Sequence, residues 1–232
     1  MRHPGNWGKP RSRRRETVPK RSKTPCIYVL AGTDGAGKSS IGGAAFRKKG
    51  GDYFDPDEAT RRILASSPAV NLDEANAAAW TEGRRLLERA IDERLNFAFE
   101  TTLGGRTMAA LLEKALSVGI EVRVWYVGLS RAELHIARVR ARAARGGHHI
   151  PDEKIRERYD RSRWNLIQLL PKLTEARVYD NSEESDPRKH LIPQPKLILH
   201  TRRGRVVRAC DLAHAPEWTK PILLVALKSS GK

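Results

Sequence analysis

Cysteine is scarce. Cys26 and Cys210 are the only two in 232 residues, which excludes a disulfide framework and points to a reducing cytoplasm. Neither stands at ligand spacing from His148 or His149, and adjacent histidines point in different directions, so no zinc-type site is expected. Long apolar runs are missing too. Nothing approaches the roughly 20 residues of a membrane span, and the basic N-terminus lacks the apolar stretch of a signal peptide. Its arginines mimic an organelle transit peptide, but Pro4, Gly5, Gly8, Pro10 and Pro19 argue against the amphipathic helix that such a peptide needs. Aromatic residues are few, and Trp7 stands alone in the first 25 residues, so no base-stacking platform is visible in that segment.

What the chain has in excess is positive charge, +17 overall and unevenly spread. Residues 1–25 carry nine basic side chains, Arg2 and Lys9 through Lys20, Arg21 and Lys23, against the single acid Glu16. With no hydrophobic period, this segment reads as a disordered basic tail that makes weak, non-specific contact with nucleic acid.

Beyond the tail, short β-branched runs alternate with helical patterns. Cys26–Ala31 reads as a buried strand, followed by a glycine-rich turn and a helix over Ser39–Lys49. Tyr53–Phe54, Phe97–Phe99, Ile120–Val127 and Ala176–Tyr179 read as further strands. Helices are expected over Ala59–Ala65, Leu72–Leu95 (capped by Asn71), Arg106–Val118 (closed by Gly119), Ser130–Arg145 (capped by Ser130 with Glu133) and Pro151–Leu170. The alternation predicts an α/β fold: a parallel sheet flanked by helices. Residues 26–185 form the expected core. Residues 186–232 form a C-terminal extension packed on it, with a hairpin of Lys196–Thr201 and Arg205–Ala209 around Arg203–Gly204.

The most specific signal is Gly32-Thr33-Asp34-Gly35-Ala36-Gly37-Lys38-Ser39, an eight-residue P-loop between a strand and a helix. Glycines let backbone N–H groups face phosphate oxygens with no Cβ in the way. The helix N-terminus adds partial positive charge. Lys38 is expected on the terminal phosphates, Ser39 on Mg²⁺, and Ser40 beside them. ATP with Mg²⁺ is the implied ligand.

In such sheets ligands gather at the carboxyl ends of the strands. Asp55 and Asp57 follow the second strand; Glu100, Thr101 and Thr102 follow the third. One carboxylate there can take a hydroxyl proton, another can hold Mg²⁺ through water. Asp57 and Glu100 are the candidates, with Thr101, Thr102 and His148 as substrate contacts. The helix over Ser130–Arg145 carries Arg138, Arg142 and Arg145, whose guanidinium groups suit a phosphoryl group in flight. Gly146–Gly147 would let that helix close as a lid.

The ordered series resembles the zeta-toxin-like P-loop kinases, a bacterial branch of predicted ATPases in particular. Its members are Leu30–Ser39, Phe54-Asp55-Pro56-Asp57-Glu58-Ala59, Phe97-Ala98-Phe99-Glu100-Thr101-Thr102-Leu103, Val127-Gly128-Leu129-Ser130, Arg138-Val139 with Arg142, Gly146–Pro151, Arg158-Tyr159 and Tyr179-Asp180-Asn181-Ser182. It covers roughly residues 26–227 and includes Pro216-Glu217-Trp218. The resemblance implies a P-loop kinase core. The best-understood members phosphorylate UDP-N-acetylglucosamine on a sugar hydroxyl and are held inactive by a small helical antitoxin. By resemblance Asp57 is the general base, Glu100 binds substrate or organises Mg²⁺, and Arg138 stabilises the transferring phosphoryl group, with Arg142 or Arg145 as its companion. Two positions depart from the branch: Asp34 replaces an asparagine inside the P-loop, and His149 stands where aspartate is usual.

Three functions follow as expectations. The first is phosphoryl transfer from ATP to a hydroxyl of a small acceptor, with UDP-N-acetylglucosamine or a related nucleotide sugar as candidates. The second is a kinase or ATPase acting on nucleic-acid ends, using the tail and Arg202, Arg203, Arg205 and Arg208. The third is a nucleotide-binding module regulated by an antitoxin-like partner.

Overall fold

The computed structural model describes residues 24–41, 53–147, 150–183 and 194–231. The basic tail, most of the first predicted helix, His148 and His149 lie outside these, and of Ser39 and Ser40 only the backbone is described. Seven strands form one sheet among the described residues: β1 (Cys26–Ala31), β2 (Tyr53–Phe54), β3 (Phe97–Thr101), β4 (Glu121–Gly128), β5 (Glu175–Asp180), β6 (Lys196–Arg202) and β7 (Arg205–Ala209). Their spatial order is β2-β3-β1-β4-β5-β6-β7. The first five are parallel; β6 and β7 run antiparallel and extend the same sheet. The expected α/β architecture and the C-terminal hairpin are both present.

The helices are α1 (Lys38–Ile41), α2 (Pro56–Ser66), α3 (Leu72–Asp92), α4 (Arg106–Ser117), α5 (Ala132–Ala143), α6 (Asp152–Leu169) and α7 (Lys220–Ser230). Alternate residues of the strands explain how they pack. Ile27, Val29, Phe97, Phe99, Val122, Val124, Ala176 and Val178 face one large core, which α2, α3, α4, α6 and α7 cover with Ala59, Leu87, Leu112, Leu166 and Ile222. Leu30, Ala98 and Val127 face the other way and meet Ala36 and Ile41 at the start of α1.

Local signals set the helix starts. Asn71 accepts from the Glu74 N–H at 3.0 Å and the Glu74 carboxylate accepts from the Asn71 N–H at 3.0 Å, the reciprocal capping box that starts α3. The expected Ser130–Glu133 box does not form. Arg131 stands at the N-cap of α5 instead and makes no side-chain cap bond. The Ser130 N–H instead donates to Ser182 Oγ at 2.7 Å, and Glu133 pairs with Arg156. Tertiary partners won over the local ones.

The motif Tyr179–Ser182 serves as a brace. Trp218 Nε1 donates to Asp180 Oδ1 at 2.8 Å, and Asn181 Nδ2 donates to the Ala36 carbonyl at 2.9 Å. The Trp218 ring lies so close over Gly128 that any Cβ there would stand 2.3 Å from it. The C-terminal segment thus reaches the phosphate loop through two side chains. Trp218→Ala removes a buried ring and the hydrogen bond it gives Asp180, leaving, among the described residues, only the one from Ser182 Oγ. It should destabilise the fold by about 3–5 kcal/mol and lower the melting temperature by on the order of 10 °C in thermal denaturation.

Candidate active site

The register brings the strand exits together. Ala31 lies opposite Thr101 on one side and Tyr126 on the other, and the Gly32 N–H donates to the Thr101 carbonyl at 3.2 Å. The loop from Gly32 to Lys38 therefore curls beside Glu100 and Thr101. Gly37 sits at φ +85°, and a Cβ there would meet Asn181 Nδ2 at 2.5 Å, so both its backbone angle and its neighbour require glycine. Lys38 is buried and donates to the Gly32 carbonyl at 2.8 Å while standing 3.5 Å from Glu100. The ammonium thus bonds back onto its own loop.

A cavity of about 450 Å³ opens above the loop. Asp34, Gly35, Gly37 and Lys38 line its floor; Asp57, Glu100, Thr101 and Thr102 one wall; Arg138, Arg142 and Arg145 the other. The structure thus gathers most of the sequence-derived candidates around one space. The Ser39 and Ser40 side chains and all of His148 lie outside the described residues.

The two aspartates after β2 divide their roles. Asp55 caps α2, accepting from the N–H groups of Asp57 and Glu58 at 2.9 and 3.3 Å. That frees the Asp57 carboxylate, which stands 3.3 Å from Arg142 Nη1 and is half-exposed to the cavity. Glu100 is committed differently: Tyr53 Oη donates to it at 3.0 Å and Lys38 lies on its other side. Burial pushes the Glu100 carboxyl above its usual range; Lys38 and the Tyr53 hydrogen bond offset this only in part, and Asp55 nearby adds to it. Thr101 and Thr102 accept from the N–H groups of Leu103 and Gly104 and shape the turn after β3.

The basic helix splits by face. Arg138 donates to the Glu183 carbonyl at 3.2 Å, and Arg145 Nε folds back onto the Ala141 carbonyl at 3.1 Å. Arg140 points away and pairs with Asp152 at the start of α6. Arg142 Nε is buried and has no hydrogen-bond partner among the described residues.

A second cavity of about 440 Å³ shares Asp34, Pro56, Asp57, Glu100, Thr101 and Thr102 with the first. Phe54, Phe99, Met108 and Trp80 give it apolar walls, and Asn76, Asp73, Lys154 and Arg158 give it polar ones. Trp80, Asn76, Asp73, Met108 and Lys154 were not legible as site residues. They sit inside helical patterns, and only the packing of α3, α4 and α6 around the sheet brings these positions to one cavity.

The sequence profile of the family described as "Zeta toxin" matches residues 11–186. The chain belongs to the zeta toxin family. A P-loop kinase-type phosphotransferase fold comes with that membership. An uncharacterized protein of Haemophilus influenzae is 30% identical over 129 residues, covering 55% of this chain and 88% of that protein. The AvrRxo1-ORF1:-ORF2 complex, solved with ATP, superposes with a TM-score of 0.61 at 14% identity over 88% of this chain. This chain spans 64% of the length of that one. The PezAT toxin–antitoxin system of Streptococcus pneumoniae gives a TM-score of 0.51 at 17% identity, over 74% of each chain. At these identities the structural likenesses establish the fold of this zeta-family chain.

Mg²⁺ is tested by the donor set. Among the described residues no cluster of three His, Cys, Asp or Glu side chains could hold a metal ion. Glu100, a largely buried carboxylate at the edge of the phosphate cavity, suits one protein contact to a cation whose other ligands are water and phosphate oxygens. The residues fit that arrangement.

His135 lies beneath the loop. A carbonyl can only accept, so its Nδ1–H donates to the Asp34 carbonyl at 2.7 Å; among the described residues Nε2 has no partner. Burial pushes its pKa from 6.5 down to about 4, and the hydrogen bond to Asp34 opposes this only in part. The folded state refuses a proton that the unfolded chain accepts below pH 6.5. Stability should therefore fall as pH drops from 6.5 through about 4, by about 3 kcal/mol in all. His135→Asn, which keeps a donor for the carbonyl, should flatten that part of a denaturant-measured stability profile.

Proposed function

We propose that this protein transfers the γ-phosphoryl group of ATP to a hydroxyl of a small acceptor, with Asp57 as general base. The observation that carries the reading is the shared wall. Asp57 stands between a cavity floored by the phosphate loop and a cavity of mixed apolar and polar lining. It is not used as a helix cap and is held at the mouth by Arg142.

ATP would lie with its phosphates in the loop from Gly32 to Lys38, against the N-terminus of α1. Mg²⁺ would be held by Ser39 and, through water, by Glu100; when bound it supplies charge neutralisation across the phosphates. Lys38 would leave the Gly32 carbonyl for a phosphate oxygen. Asp57 takes the proton from the acceptor hydroxyl as the oxygen bonds to phosphorus; the bond to the β-phosphate oxygen breaks and ADP departs. Arg142 with Arg138 would neutralise the charge spread over the equatorial oxygens. Arg145, in the turn after α5, follows if its guanidinium swings off the Ala141 carbonyl.

The acceptor cavity fits a compound with an apolar face for Trp80 and Phe54 and hydrogen-bonding groups for Asn76 and Thr107. UDP-N-acetylglucosamine and related nucleotide sugars are the first acceptors to try. The toxin–antitoxin likeness supports a protein partner that controls access to the site. The nucleic-acid reading draws no support from the hairpin arginines. Arg202 pairs with Glu175, the first residue of β5, so Arg202, Arg203 and Arg205 stand where the parallel strands begin. The phosphate loop is at the other end of the strands, about 20 Å away.

The test is incubation with γ-labelled ATP, Mg²⁺ and a panel of nucleotide sugars, free sugars and short RNAs. Label should appear on a small hydroxyl acceptor. Asp57→Asn should lower turnover by at least about 10²-fold while ATP binding persists; Lys38→Ala should lose both. Wild-type transfer by Asp57→Asn would remove the base assignment.

A further inference from the structure

Asp34 is an unexpected residue in a loop that is to hold a polyanion. As the third residue of the phosphate loop it adds a negative charge beside the phosphates, and charges repel over several ångströms inside a protein. Its carboxylate is largely buried, with 14% of the side chain exposed, and lies 2.6 Å from Arg158 Nη1 on α6. Burial alone would raise its pKa, but Lys38, Arg158 and Arg142 outweigh that and hold it below the usual range, so the charge is present at neutral pH.

Arg158 is fixed from several sides. Thr33 Oγ1 donates to its carbonyl at 3.4 Å, and its side chain packs on Gly104, where a Cβ would come within 3.0 Å of Arg158 Cγ. Closing the turn does not require the Asp34 carboxylate. The Ala36 N–H already reaches the Thr33 carbonyl, and His135 takes the Asp34 carbonyl. The ion pair therefore has an electrostatic task. Asp34 lines both cavities, and Arg158 lines the acceptor cavity.

We propose that Arg158 is a positioning residue for the nucleotide: it cancels the charge of Asp34, so that the phosphate loop accepts a triphosphate. The proposal rests on the reading of this loop as the ATP site. It predicts a ladder set by net charge. Arg158→Gln removes the carboxylate's direct ion-pair partner and weakens nucleotide binding. Asp34→Asn leaves an extra cation and strengthens it. The double variant restores the balance.

Equilibrium titration of the full chain with a fluorescent ATP analogue and Mg²⁺, at fixed ionic strength and pH 7.5, reads all four proteins. Arg158→Gln should bind on the order of tenfold more weakly than wild type. Asp34→Asn should bind a few-fold more tightly, and the double variant should return to within about threefold of wild type. Loss of packing alone would not be repaired by a second substitution. Unchanged binding by Arg158→Gln, or a double variant as weak as Arg158→Gln, would overturn the proposal and leave the ATP site standing. Should Arg158→Gln not fold, Asp34→Asn decides by itself: weaker binding overturns the proposal. Absence of binding by wild type would overturn the site reading and the proposal together.

Discussion

The turn between β1 and α1 must keep its backbone facing one small space, and side chains from distant parts of the chain hold it there. Asn181 bonds the Ala36 carbonyl from the end of β5, His135 bonds the Asp34 carbonyl from α5, and Arg158 holds the Asp34 carboxylate from α6. Trp218 in turn fixes Asp180, next to Asn181. A loop of small residues cannot hold such a shape alone, because glycine loses more conformational freedom on ordering than any other residue. The neighbours supply the constraint. Pre-organised N–H groups and a helix N-terminus can then meet phosphate without reorganising.

From that fixed loop the rest of the site follows by register. The pairing of β1 with β3 places Glu100 beside Lys38, and the pairing of β3 with β2 places the start of α2 above both. Asp55 takes the cap, which leaves Asp57 between the two cavities. Arg142 from α5 closes over it. The largely buried Glu100 carboxylate and the Arg142 Nε, which has no hydrogen-bond partner among the described residues, are both costly arrangements. Their presence in one cavity is consistent with a site built for charged occupants, where stability is given up for function.

Much of this was legible in the sequence because the signals are local. The phosphate loop has fixed spacing, the strands are short β-branched runs, and Asn71 with Glu74 marks a helix start. Asp57, Glu100, Arg138, Arg142 and Arg145 could be chosen because residues just past strand ends or on one helix face share a space. What failed to show was decided by packing across the sheet. Ser130 looked like a cap, yet its N–H is claimed by Ser182, 52 residues away. Trp80, Asn76 and Lys154 look like ordinary helix surface until Gly83 of α3 packs on Phe54 of β2 and Arg158 of α6 packs on Gly104 in the turn after β3. Asp34 shows in the sequence only as a replacement of asparagine within the loop, since its partner Arg158 lies 124 residues on.

The central claim is that phosphates lie in the loop from Gly32 to Lys38 with Asp57 facing the acceptor side. A crystal structure with a non-hydrolysable ATP analogue and Mg²⁺ tests it most directly. The account predicts the terminal phosphate in the cavity lined by Lys38, Arg142 and Glu100, with Lys38 Nζ moved from the Gly32 carbonyl to a phosphate oxygen. It also predicts the Asp57 carboxylate open to the neighbouring cavity. A nucleotide bound elsewhere, or one bound with Lys38 still on Gly32 and Asp57 sealed from that cavity, would contradict it.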